Sequence, residues 1–426
     1  MKKSFGKLYI RKRPIPEWLV IFVLFLPFAQ AFLSEFLGLP DSIKFLTDVA
    51  LVGLLLKIFM ISSEMEIKKS FHPFLVLIGI FFAYVTVTYF FNYQSIFYFI
   101  WGLRNNFRFY VAFISFVIFL KWEDVQKFFE IFDVLYVINF LLVLVQFMMG
   151  YQQDFLGGIF GVQKGCNGGV IIFMSFVMAR QLLLFMRNEG STIKCVLFSL
   201  LGLLVAALAE LKVFFLLFIL IAVVTAMITK GSVKKALFFV FCTLVISISS
   251  TILSLLYDEF QDFLSLEKLW EALLNPNYSS EEDVGRLTAI PVISKRFHTG
   301  VLDKLFGMGL GNADSSSLAI FNTPFFKAYS SIHYTYFVYA FLYLEVGIVG
   351  LLMYAMFFVL SFFAALRLRL AKMADDLTCQ LTMIFSGVCL VLVFYNVALR
   401  AEMAGYLAYF VLALPLISAK ATRPKN

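Results

Sequence analysis

Charge is scarce in this chain: Asp, Glu, Lys and Arg make up 15% of its 426 residues, while hydrophobic residues make up 62%. An ordinary water-soluble domain carries charge at about a quarter of its positions, so that class is excluded. Cysteine is also sparse. Of five, Cys195, Cys242, Cys379 and Cys389 fall in or beside apolar runs, leaving Cys166 alone and excluding a disulfide framework for the polar stretches. Histidine occurs three times, as His72, His298 and His333, with no His/Cys cluster at the spacing of a zinc site. No phosphate-cradling loop sits between a strand and a helix, and neither a Pro- or Ser-rich linker nor an internal repeat divides the chain. It reads as one integral membrane domain over residues 1–426.

What is present in quantity is apolar sequence. Segments long enough to cross roughly 30 Å of hydrocarbon recur along the chain. They are expected near residues 18–37, 45–62, 74–91, 97–120, 134–150, 169–186, 194–208, 213–228, 236–256, 347–366, 377–397 and 403–418. The expected fold is therefore all-α and polytopic, with about 12 transmembrane helices and one large outer loop, 257–331, between spans 9 and 10. That loop is expected to contain short helices. Lys and Arg set the orientation: twenty-one lie in the connections on one side and six in the short connections on the other. Both termini are then cytoplasmic and the loop faces outward. The net charge of +8 follows from this topology and suits anionic inner-leaflet lipid, with no call for nucleic acid. The basic start and the small residues Ala29-Gln30-Ala31 also fit a cleaved signal peptide. A run that continues through Phe32, Leu33, Phe36 and Leu37 reads as a retained first helix.

Phe is abundant, 54 residues, but scattered through every span, which reads as packing and lipid contact rather than sugar-stacking platforms. The loop divides by charge. Residues 258–283 hold eight acids and one base, with apolar residues from Phe260 to Leu274 near helical spacing, as in an amphipathic interfacial helix. Asn275-Pro276-Asn277 ends it, and Ser280 with Asp283 resembles a capping box opening a second helix with Arg286 in its first turns. From Arg286 to Lys304 the balance inverts, with Arg286, Lys295, Arg296 and Lys304 against Asp303.

Several residues can carry chemistry. His333, at the outer mouth of a span, can move a proton near neutral pH, or is simply an interfacial polar residue. Lys212, in a very short connection, is either functional or paired with Glu210. Arg104 and Arg108 stand one turn apart on one helix face, suited to phosphate or to lipid headgroups. Asp48 is expected to be solvated near an outer end, with Lys57 and Arg180 reaching toward the inner side. Gly307-Met308-Gly309-Leu310-Gly311 suits a tight turn or a close backbone approach. The first outer connection, 38–44, lacks the paired acids of metal-dependent lipid-linked glycosyltransferases.

Read in order, Glu210-Leu211-Lys212, Gly285-Arg286, the Gly307–Gly311 run, His333 and Glu345-Val346-Gly347-Ile348-Val349-Gly350 resemble the O-antigen polymerase and O-antigen ligase superfamily over about a third of the chain. Tyr334 follows the histidine where that superfamily has Asn, Ser or Gln. The His333 to Glu345 gap is longer by roughly one helical turn. Both departures point to the polymerases. The resemblance implies metal-independent, cofactor-free, inverting glycosyl transfer at the periplasmic side of a bacterial inner membrane. Donor and acceptor would be undecaprenyl-pyrophosphate-linked glycans, and a chain-length regulator and a flippase of the same pathway would be partners. It implies catalytic roles for His333, Arg286 and Lys212. Substrate contacts are expected from Arg104, Arg108, Arg296, Gly309, Tyr334 and Glu345. A ligase acting on lipid A core, or a flippase, is the alternative.

Overall fold

The computed structural model describes residues 13–61, 69–92, 94–163, 165–229, 284–316 and 318–421, with positions 240 and 247. All regular elements among them are helical, and none is a strand. The long helices are α1 (Ile15–Ala31), α2 (Phe45–Ile61), α3 (His72–Phe91), α4 (Ile96–Phe119), α5 (Trp122–Met148), α6 (Cys166–Met186), α7 (Thr192–Leu208) and α8 (Lys212–Ile228). Then come three short helices, α9 (Ala289–Arg296), α10 (Val301–Phe306) and α11 (Pro324–Tyr329). The chain finishes with α12 (Val338–Leu370), α13 (Asp376–Tyr395) and α14 (Glu402–Ala421). Local chemistry fixes several starts. Prolines occupy the first turns of α1, α3 and α11, where no backbone donor is needed. Ser191 and Asp375 accept from the amides of Lys194 and Thr378 to open α7 and α13.

Seven described helices are long and apolar enough to cross a membrane: α1 with its extension to Glu35, α3, α5, α6, α12, α13 and α14. Helices α2, α7 and α8 have 17 residues each, and α4 carries Arg104 and Arg108 in its middle. The span expected at 236–256 lies almost wholly outside the described residues, as do the expected interfacial helix and its Asn275-Pro276-Asn277 stop.

Two helices differ from expectation at their starts. Helix α5 begins at Trp122 instead of near 134, and the acids it buries ahead of that point have cationic partners: Asp124 in its first turn with Arg13 at 2.7 Å, and Asp133 with Arg180 at 2.8 Å and Lys194 at 2.7 Å. Arg180 is thus an ion-pair partner within the bundle, not a solvent-seeking side chain. Helix α12 begins at Val338, and Gly347, expected near its start, is instead a break inside it (φ 61°, ψ −170°).

Helices α6 and α14 form the centre, each buried along most of its length. Around them α2, α3 and α5 expose Val52, Phe59, Ile80, Phe90 and Val134 outward. Large apolar side chains on the outer surface of an all-helical bundle are consistent with lipid as the solvent. The end carrying the α12–α13 turn is tied by Arg187 and Arg369 to Asp376, and by Lys420 to the carbonyls of Ile118 and Leu120. Lys121 with Glu17 belongs to the same end.

Candidate functional site

The opposite end of the bundle is organised around the break at Gly347. In an uninterrupted helix the carbonyls of residues 343–346 would accept from amides four residues on. Around the break each of these carbonyls takes a donor from elsewhere in the chain. His298 Nε2 meets Tyr343 O at 3.1 Å and the Met308 amide meets Leu344 O at 3.1 Å. The Gly309 amide reaches Glu345 O at 2.8 Å, and the Tyr84 hydroxyl reaches Val346 O at 2.7 Å. The glycine run and the Glu345–Gly350 motif are therefore one structural unit, in which loop backbone caps a broken helix.

Glycine is required where these backbones meet. Gly307, Gly309, Gly311 and Gly347 all have positive φ. A Cβ on Gly307 would stand 2.5 Å from the backbone at Glu345 and Gly347, and one on Gly347 would stand 2.6 Å from the Phe306 nitrogen. On the other side of the loop, a Cβ on Gly102 of α4 would stand 2.7 Å from Gly311. Gln94 adds a bond to the Leu310 carbonyl.

Glu345 is wholly buried, and its Oε1 accepts from the Ala313 amide at 3.0 Å. Tyr334 is also wholly buried, its hydroxyl donating to the Ala313 carbonyl at 2.6 Å. Burial pushes its phenol above the ordinary value, so the group stays protonated and keeps donating. Both side chains hold the loop from inside. Gly309 likewise acts through its backbone.

Arg104 and Arg108, read from sequence as suited to phosphate or to lipid headgroups, meet carboxylates of the chain itself. Arg104 meets Asp48 at 2.6 Å and Glu402 at 2.7 Å, and Arg108 pairs with the same Glu402 oxygen. Asp48 is thus an ion-pair partner with a side chain only 20% exposed, not a solvated acid. Arg400 continues the array to Asp314 at 3.2 Å, and Asn105 donates to the same Asp314 oxygen at 2.7 Å. Sequence reasoning gave no site role to Glu402, Arg400 or Asp314. The available signal was that acids at the ends of apolar runs need cations, and that Arg104 and Arg108 were the nearest in kind.

Arg286 lies differently. It sits in the turn before α9, not inside a helix, because that helix starts at Ala289; the proposed capping pair Ser280 and Asp283 lies outside the described residues. The Val284 amide donates to the Ile332 carbonyl at 2.9 Å, which draws the Arg286 turn alongside the His333 turn. Tyr339 donates to the Arg286 carbonyl. The guanidinium lies over the rings of Tyr395 at 4.8 Å and Phe337 at 5.8 Å. It has no carboxylate partner among the described residues, and its Nε is buried without a hydrogen bond. His333 adopts the left-handed conformation (φ 63°), its ring 4.8 Å from that of Tyr336. That conformation is uncommon outside glycine, with His among the side chains that adopt it more often, and here it joins two short turns.

Arg296 packs over Phe297 and Tyr329, each at 5.5 Å. Lys212 is exposed at the start of α8, whose far end, the Ile228 carbonyl, accepts from Gln380 and Arg369 at 3.2 Å each. Seventeen residues of helix span roughly 24 Å. Lys212 therefore stands at the same end of the bundle as Tyr395 and Arg286. Among the described residues no group of His, Cys, Asp and Glu could hold a metal ion.

No protein-family model matches the chain, and no curated protein matches it.

Proposed function

We propose that the chain is a membrane glycosyltransferase that extends a lipid-linked glycan, of the O-antigen polymerase kind, working at the end of the bundle that carries Arg286 and His333. The observation that supports it is the contrast among arginines. Arg104, Arg108 and Arg400 are neutralised by acids, whereas Arg286 keeps its charge on two aromatic rings beside the His333 turn. A cation held that way suits an incoming anion such as a pyrophosphate.

In this reading the end in question faces the periplasm of a bacterial inner membrane, and both termini are cytoplasmic. The acceptor hydroxyl gives its proton to His333 as its oxygen bonds to the anomeric carbon of the donor. The bond from that carbon to the pyrophosphate oxygen breaks with inversion. The electron pair leaves with undecaprenyl pyrophosphate, whose growing charge Arg286 and Lys212 stabilise. Arg296 and its aromatic neighbours would contact the glycan.

The test is genetic and then biochemical. If the host makes lipopolysaccharide, deletion leaves lipid A core capped by one repeat unit. Long polymer stranded on undecaprenyl pyrophosphate would mean a ligase, and bare core without outer-face polymer a flippase. His333→Ala and Arg286→Ala, present in the membrane at normal level, are each expected to lower polymer synthesis about a hundredfold or more. Near-normal polymer from either variant refutes its role.

A further inference from the structure

A second feature lies at the other end of the bundle, away from the proposed transfer site. A cavity of about 1120 Å³ opens between α1, α2 and the junction of α4 with α5. Its walls are apolar, including Leu19, Leu56 and Met60, and three lysines line it, Lys57, Lys121 and Lys420. Two are engaged: Lys121 pairs with Glu17, and Lys420 donates to the carbonyls of Ile118 and Leu120. Lys57, half-buried on the 17-residue apolar helix α2, has no ion-pair partner among the described residues. A lone cation on an apolar helix is costly unless a ligand or water meets it.

Glu17 supplies an independent sign of a ligand. It lines the same cavity and is only 6% exposed, yet its Oε2 has no hydrogen-bond partner among the described residues. A buried carboxylate oxygen in that state calls for a donor. We infer that this cavity binds one anionic phospholipid with a hydroxylated headgroup, of the phosphatidylglycerol class. Its phosphate lies against Lys57, its headgroup hydroxyl donates to Glu17 Oε2, and an acyl chain runs along the apolar wall.

Charge selects this occupant. The lining holds three lysines against Glu17 and Glu123, one positive charge in excess, which a singly anionic lipid balances and a zwitterionic one does not. The chain's own first twelve residues contain Lys2, Lys3, Lys7, Arg11 and Lys12 and no acid, so they carry the same sign as Lys57 and make a poor occupant. The inference rests on the bilayer reading and not on the transferase reading.

The test uses the full chain purified in neutral detergent and follows its thermal unfolding as defined lipids are added. Ligand that binds only the folded state raises the midpoint. Phosphatidylglycerol is expected to raise it by several degrees more than phosphatidylcholine or phosphatidylethanolamine. Lys57→Gln should lose at least half of that difference. Gly53 lines the cavity, and a Cβ there would meet only Leu19 Cδ1, at an ordinary 3.7 Å. Gly53→Leu should therefore fold normally, fill the space and abolish the response. Three results would overturn the inference: equal shifts with all three lipids, a full phosphatidylglycerol preference in either variant, or the same shift from glycerol 3-phosphate alone. None of these readouts depends on glycan transfer.

Discussion

Two carboxylates in different surroundings show how much a single residue contributes here. Glu402 is 12% exposed at its side chain and bridges Arg104 and Arg108, while Asp376 is 48% exposed and meets Arg187 and Arg369 at the opposite end. Removing one partner of a buried array leaves the other charges stranded in a low-dielectric medium, at a cost of about 3–5 kcal/mol. An exposed ion pair contributes only about 0.2–1 kcal/mol. Glu402→Gln should therefore destabilise the folded chain far more than Asp376→Asn, as read by denaturant unfolding in micelles. Equal losses would mean that the Glu402 array is solvated. The residues of this array also mark where sequence legibility stopped. Arg104 and Arg108 were visible as a two-cation helix face, but a face seen in sequence carries no information about which acid will lie across from it. Asp48 and Glu402 come from helices 56 and 298 positions away from Arg104.

At the scale of an element, α12 is governed by its break. Because Gly347 lies at φ 61° against the backbone of Leu305 and Phe306, Gly347→Ala must strain the helix and push the loop away together. Gly79 in α3 has nothing within 4 Å of the position its Cβ would take, so Gly79→Ala should be neutral or stabilising by about 0.5–1 kcal/mol. Thermal unfolding of the two variants against the parent separates these outcomes. A tolerated Gly347→Ala would contradict the capped-break geometry.

The cap also gives the loop a pH dependence through His298. Burial lowers its pKa from the ordinary 6.5, with the Tyr343 carbonyl and Asp303 opposing in part. The unfolded chain therefore takes up a proton at higher pH than the folded one does. The contribution of neutral His298 is complete above about pH 6.5 and is lost as the pH falls from there toward the lowered folded value. Stability should drop between pH 7.5 and 5.5, and His298→Gln, which keeps an N–H donor, should flatten that slope. An unchanged slope in the variant would remove His298 as the cause.

For the whole molecule the arrangement of ends is the testable quantity. Leu302 on α10 and Met373 in the turn after α12 are both exposed and belong to opposite ends of the bundle, while the four described native cysteines are buried. In intact cells, a membrane-impermeant thiol reagent should label Leu302→Cys. It should label Met373→Cys only after the inner membrane is opened. The reverse pattern would invert the proposed topology, and labelling of both in intact cells would remove the membrane from between them.

The sequence by itself determined the helical class and the positions of most long helices, because a run of apolar residues of spanning length has few alternatives when every backbone amide must be satisfied internally. It also marked His333, Arg286, the glycine run and Glu345-Val346-Gly347 as notable. Only the tertiary structure decided what they do to one another. Glu345 and Tyr334 turn inward to hold the loop, the Met308 and Gly309 amides donate to the Leu344 and Glu345 carbonyls beside Gly347, and the His298 ring, just past α9, meets the Tyr343 carbonyl. Arg286 is left with its charge unmatched by any acid among the described residues, while Arg104 and Arg108 are matched. The reason is physical. Periodicity and hydropathy are local properties of the chain, whereas which donor meets which orphan carbonyl, and which acid meets which arginine, depends on contacts between segments tens to hundreds of residues apart.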